Sequence, residues 1–166
     1  KKLRAISLLR EHRAVLVALS GGVDSAALLA IAREALGSDN VLAVTGRSAS
    51  VIDDEIDDAR RVAHQLSVRH EVVDTLELER SEYRANVGDR CFHCRSELFD
   101  VLSRTAVQHG IEAIAYGAII DDLGEDRPGM EAARKMGILA PLLHANIGKD
   151  DVRTLATAYG LHVYEK

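Results

Sequence analysis

Val15-Leu16-Val17-Ala18-Leu19 runs directly into Ser20-Gly21-Gly22-Val23-Asp24-Ser25, and the fold reads outward from that junction. Five consecutive apolar residues predict a buried strand. Two glycines behind it allow a tight turn and a close approach of backbone. Val23 to Leu36, rich in Ala and Leu, predicts a helix closed by Gly37 at its C-cap. The start of that helix offers N–H groups without partners and the positive end of a dipole, which together suit an anion. Ser20 and Ser25 add hydroxyl donors. Asp24 would repel a phosphate, but it fits if it holds Mg²⁺ that bridges to the phosphates. The plainer alternative is an ordinary strand-to-helix turn capped by Asp24 or Ser25. The loop is neither G-x-x-x-x-G-K-S/T nor G-x-G-x-x-G.

The rest of the chain repeats the same alternation. Val41 to Thr45, Arg69 to Val73, Ile114 to Tyr116 and Ile138 to Ala140 are predicted strands. Between and after them, helices are predicted over Asp53–Leu66, Ser96–Gln108, Gly129–Met136 and Lys149–Tyr159. In the first of these Ile56, Ala59, Val62, Ala63 and Leu66 recur at helical spacing behind an acidic first turn. Strands alternating with helices imply right-handed crossovers. The expected fold is α/β: a doubly wound, mostly parallel five-stranded sheet with helices on both faces. Ligands in such folds sit beyond the carboxyl ends of the strands. That points to the loops after Leu19, Thr45, Val73 and Tyr116.

Composition narrows the class. The 166 residues fit one domain, and 47% apolar with 28% charged is a soluble globular mix. Apolar runs stop at five or six residues, as in Ala14 to Leu19, whereas a membrane helix needs about 20. The net charge of −5 argues against general polyanion binding, so nucleic acid is not an expected partner. Two cysteines, Cys91 and Cys94, make no disulfide framework, and a cytoplasmic protein is expected. The first residue is Lys1, and the natural start is expected upstream of it.

The hexapeptide S-G-G-V-D-S resembles the PP-loop of the N-type ATP pyrophosphatases. That resemblance implies cleavage of ATP between the α and β phosphates. GMP synthetase, NAD synthetase, asparagine synthetase and the tRNA thiolases share the loop, so other segments must choose among them. Asn86 to Phe99, Asp121 to Gly129, and Pro141-Leu142-Leu143 followed by Gly148 to Arg153 are similar, in that order, to segments of the LarE family. LarE proteins are sulfur transferases that adenylate a carboxylate of a pyridinium mononucleotide and replace the adenylate with sulfur, on the way to the nickel-pincer cofactor. The resemblance covers essentially the whole chain. It implies ATP, Mg²⁺ and a small-molecule nucleotide substrate, and a homo-oligomer is expected. Residues 1–166 would be the PP-loop domain. The family's K-P-x-x-x-C-x-x-S-R segment and C-terminal domain are absent from this chain. A second departure is Ala118-Ile119-Ile120, where the family often carries Thr or Asn. Another PP-loop thiolase or amidating ligase, or a non-catalytic ATP-binding module, is the alternative.

The resemblance also distributes roles. Ala18, Ser20, Gly21, Gly22, Val23, Asp24, Ser25, Thr45 and Ser48 would line the nucleotide site, with Asp24 and Asp122 on magnesium. Asp24 and Lys149 would be catalytic. Lys149 opens a helix, where the dipole disfavours a cation, and that misplacement suits a lysine reaching pyrophosphate. A solvated lysine is the alternative. Asp122 and Arg127 would meet substrate or order their loop, or else sit in a solvated acidic run. One LarE branch holds a [4Fe-4S] cluster on three cysteines, and Cys91 and Cys94 match two of them. Buried structural thiols, a redox dithiol or a subunit-bridging zinc remain open. The histidines other than His93 show no ligand spacing and read as surface or satisfied groups.

Overall fold

Four parallel strands form one sheet in the order β3-β2-β1-β4: β1 is Val15–Ala18, β2 Val41–Arg47, β3 Arg69–Asp74 and β4 Ala113–Ala115. The computed structural model describes residues 1–48, 52–75, 90–124 and 127–161. Register is set at the sheet's centre, where Val15 faces Val41 on one side and Ala113 on the other. Alternate residues separate by face. Val15, Val17 and Ala43 join one core cluster, and Leu16, Leu42 and Val44 join the other. The first cluster is covered by helices α1 (Lys2–Leu9), α2 (Val23–Leu36), α3 (Asp53–Gln65) and α7 (Lys149–Ala158); the second by α4 (Arg90–Gln108) and α5 (Arg127–Lys135). A short α6 (Pro141–His144) precedes α7. None of the described helices is long and apolar enough to cross a membrane.

Helix α2 is buried at every position from Val23 to Ala32 except Asp24. A helix apolar nearly all round belongs inside, and α2 packs against α1 and α7. The α2–α7 pairing matters for the site. Lys149 meets Asp24 at one end, and the Tyr159 hydroxyl donates to Glu34 Oε2 (2.9 Å) at the other. Both contacts span 125 residues, so the two helices run parallel and in step. Lys2 from α1 reinforces the far end, with Nζ 3.1 Å from Glu34 Oε2 and 5.3 Å from the Tyr159 ring centre. Burial and then the Glu34 hydrogen bond push the Tyr159 hydroxyl pKa far above its ordinary value.

Three sequence expectations change. The fifth strand over Ile138–Ala140 shrinks to one parallel bridge, Ala115 to Leu139, secured by Tyr116 N–H to Leu139 O (3.0 Å) and Leu139 N–H to Ile114 O (2.8 Å). Pro141 sits at the start of α6, and Ala140 already leaves extended geometry at φ −126°, ψ 70°. A strand cannot continue through a residue without an N–H into a helix. The helix predicted from Ser96 starts at Arg90, so Cys91 and Cys94 lie within α4, not ahead of it. The helix α1 was not expected; its Ala5, Ile6 and Leu9 are buried on the core.

Candidate active site

The strand order reverses between β1 and β4, and at that switch point the loops after both strands meet. The β1 loop folds tightly. Ser20 N–H donates to Ser25 Oγ (3.0 Å), the two hydroxyls lie 3.0 Å apart, and Gly22 N–H donates to Ser20 Oγ (3.3 Å). Ser25 is buried and its hydroxyl also reaches Gly22 O at 3.4 Å, so Ser25 secures the loop while Ser20 stays exposed. Gly21 has φ +86°, and a Cβ there would lie 2.3 Å from the Glu55 carbonyl oxygen. The loop is thus wedged against the first turn of α3.

Among the described residues no side chain caps α2, whose N-cap is Gly22. The parallel helix α7 brings a second N-terminus to the same end of the sheet, but its first donors are engaged. Gly148 N–H binds Asp151 Oδ2 (3.0 Å) and Lys149 N–H binds Asp121 Oδ1 (3.0 Å). The open donors of α2 therefore make the better anion cradle. Lys149 Nζ stands beside it, 2.9 Å from Asp24 Oδ1, with both side chains about one-quarter to one-third exposed. The two proposed catalytic residues thus touch. A pair this open to water adds at most about 1 kcal/mol to stability.

The β4 loop closes the site from the other side. Gly117 lies so near α2 that a Cβ would sit 2.9 Å from Ser25 N and 3.1 Å from the Asp24 carbonyl carbon. Sequence reading passed over Gly117; its signal was a glycine directly after a strand. Ala118 and Ile119 are buried in the core. Asp122 Oδ2 accepts from Ile119 N–H (2.9 Å) and orders the short 3₁₀ turn Ile120–Gly124. Among the described residues no cluster of three metal-binding side chains occurs. Asp24 is the acidic residue in the first turn of α2, and one carboxylate completed by phosphate oxygens and water suits Mg²⁺. Arg127 opens α5; its side chain and residues 125–126 lie outside the described residues.

At the ends of β1 and β2, Ala18 and Ser48 are half-buried and Thr45 is buried. The Thr45 hydroxyl donates to Leu19 O (2.7 Å) and lies 2.7 Å from His70 Nε2. Its one proton is used on Leu19, so His70 must donate from Nε2, which sets the tautomer. His70, read from sequence as a surface or satisfied group, is satisfied, and through Thr45 it braces Leu19, the residue just before the Ser20–Ser25 turn. Burial, and next the charge of Arg60, lower its pKa below the ordinary 6.5. The unfolded chain therefore takes up the proton first. The contribution of His70 to stability is complete above about pH 6.5 and falls as pH drops from there toward the lower folded value. Urea titrations across that window are expected to show a shallower acid loss in His70→Gln; equal slopes would refute the neutral buried imidazole.

Cys91 and Cys94 are placed by the backbone of α4. Gly46 near the carboxyl end of β2 is so close to α4 that a Cβ would fall 2.6 Å from Leu98 Cδ1. Helix α4 runs back toward the start of β4, so residues before Leu98 lie farther beyond the sheet's carboxyl edge. Cys94 and Cys91 precede Leu98 by four and seven positions, roughly 6 and 10 Å along the helix axis. The backbone at the start of α4 therefore lies toward the carboxyl ends of the strands.

Sheet order, tight serine-locked loop and uncapped helix together define a PP-loop nucleotide-binding domain. The NAD synthase family profile matches residues 6–111, and the chain belongs to that family. It is 32% identical over 166 residues to the pyridinium-3,5-bisthiocarboxylic acid mononucleotide synthase of Lactiplantibacillus plantarum, covering all of this chain and 60% of that protein. An uncharacterized protein of Synechocystis is 38% identical over 151 residues, 91% of this chain and 56% of that one. The chain therefore spans a little over half the length of these curated relatives. Its fold matches the NH3-dependent NAD synthetase of Campylobacter jejuni with a TM-score of 0.76 at 16% identity, over 99% of this chain and 75% of that one.

Proposed function

We propose that these residues form the ATP-activating domain of a LarE-type sulfur transferase. The reading is carried by the meeting of Lys149 and Asp24 at the uncapped start of α2, in a chain resembling the pyridinium-3,5-bisthiocarboxylic acid mononucleotide synthase throughout its length. The substrate is a pyridinium-3,5-biscarboxylate mononucleotide. Its carboxylate oxygen attacks the α-phosphorus of ATP, the bond from that phosphorus to the bridging oxygen breaks, and pyrophosphate leaves. The open N–H groups of α2 and the Ser20 hydroxyl hold the leaving phosphates, and Lys149 balances their charge. Mg²⁺, held by Asp24, would supply further charge neutralisation. Sulfur then displaces AMP from the acyl carbon.

The intact protein with ATP, Mg²⁺ and this substrate is expected to give AMP and pyrophosphate. ADP and phosphate would overturn the reading. For the sulfur source we favour a [4Fe-4S] cluster with Cys91 and Cys94 as two of its ligands. The C-x-x-C spacing of Cys91 and Cys94 supplies two thiols, and a cluster needs further thiolates. When bound, it would supply transferable sulfide. The same preparation, reconstituted anaerobically, should take up iron that Cys91→Ala does not; equal uptake removes the cluster from the proposal.

A further inference from the structure

We infer that Asp121 is a positioning residue for Lys149, an inference that rests on the adenylating function proposed above. Lys149 occupies the first position of α7, where the helix dipole opposes a cation. Its side chain has four rotatable bonds, so the region its ammonium group can reach is set by where its backbone is held. The β4 loop holds it. Asp121 Oδ1 accepts the Lys149 N–H at 3.0 Å, and Ile120 N–H donates to Ile147 O at 3.0 Å two residues earlier. The Asp121 bond spans 28 residues of sequence, and both bonds come from the loop whose Gly117 abuts Ser25. One loop therefore fixes the phosphate-binding turn on one side and the lysine on the other.

The fit at Gly148 is an independent sign of the same contact. An added Cβ there would lie 3.0 Å from Asp121 Oδ1 and 3.3 Å from the Ile120 side chain. The Gly148 backbone, at φ −107° and ψ −177°, is open to any residue. A methyl at 148 would thus press on the Asp121 carboxylate and on the Ile120 side chain, the two residues that hold this segment. Asp121 thus holds the backbone of Lys149, while the ammonium group bonds Asp24; Asp150 of the same turn is exposed.

The test uses the intact protein as wild type, Asp121→Ala, Asp121→Asn, Gly148→Ala, Lys149→Met and Asp150→Ala. Asp121→Ala is expected to weaken pyrophosphate binding on the order of tenfold, the worth of one charge-assisted hydrogen bond, and to leave AMP binding unchanged. Gly148→Ala should do the same, Asp121→Asn should recover part of the loss, and Asp150→Ala should bind as wild type. In the Lys149→Met background, Asp121→Ala should cost nothing more. Equal loss of AMP and pyrophosphate, or full loss in the Lys149→Met background, would make Asp121 merely structural and overturn the inference. A second arm needs no ligand: amine-labelling of Lys149, read by mass spectrometry, should rise in Asp121→Ala and Gly148→Ala and stay unchanged in Asp150→Ala. Unchanged labelling in the first two refutes positioning. Wild type that makes no AMP, with labelling as expected, would sink the proposed function and leave the positioning intact.

Discussion

Asp24→Ala is expected to lose two to three orders of magnitude in adenylation rate while unfolding close to the wild-type denaturant midpoint. The two halves of that result have separate causes. Asp24 lies in the first turn of α2 and its carboxylate faces Lys149 at 2.9 Å. Removing it takes away the group proposed to hold Mg²⁺ and frees the lysine from its place. Loss of one preorganised electrostatic group at a reacting centre costs roughly 10²- to 10³-fold. For stability the pair counts little, because Asp24 is 26% and Lys149 30% exposed and each can turn to water. The expected change is under about 1 kcal/mol. Pyrophosphate release and urea unfolding, measured on one preparation, check both halves. A variant with activity within a few-fold of wild type would remove Asp24 from the chemistry.

Gly21→Ala should be the most damaging single methyl in the loop. Gly21 has φ +86°, where an L side chain is strained by about 1–2 kcal/mol. The new Cβ would also meet the Glu55 carbonyl oxygen at 2.3 Å, and a backbone oxygen on α3 cannot rotate aside. Either α3 shifts or the loop opens, and the expected loss is upwards of about 3 kcal/mol. Gly110→Ala is the comparison: φ is +69° and nothing lies within 4 Å of its Cβ position. It should cost only the strain. If the two variants have the same urea midpoint, the wedging of the phosphate loop under α3 is wrong.

Residues 15–25 decided most of the architecture by themselves. An apolar run as long as a strand, two glycines and an Ala/Leu helix are local features, and the structure places β1, the turn and α2 where they predict. The same is true of β2, α3 and β3, whose periodicities need no partner to be read. Asp24, Ser20 and Ser25 were legible because a loop between strand and helix has few conformations. The roles within the loop were not. That Ser25 turns inward and Ser20 outward depends on bonds between them that only the folded turn makes.

Tertiary structure decided everything that joins distant segments. Sequence chose Lys149 for an oddity, a cation at a helix start, but only the parallel register of α2 and α7 puts it on Asp24. It singled out Asp122 of the acidic pair to meet substrate or order its loop, and Asp122 does bond within its own turn, but the reach of Asp121 across to α7 was not legible. Gly117 looked like any loop glycine until β4 took its place beside β1 and pressed it against Ser25. The fifth strand failed because Pro141 started α6 too soon. Periodicity, caps and turns act over a few residues, so sequence fixes them. Strand order and helix register are set by burial summed over the whole chain, and the contacts that make the site are their product.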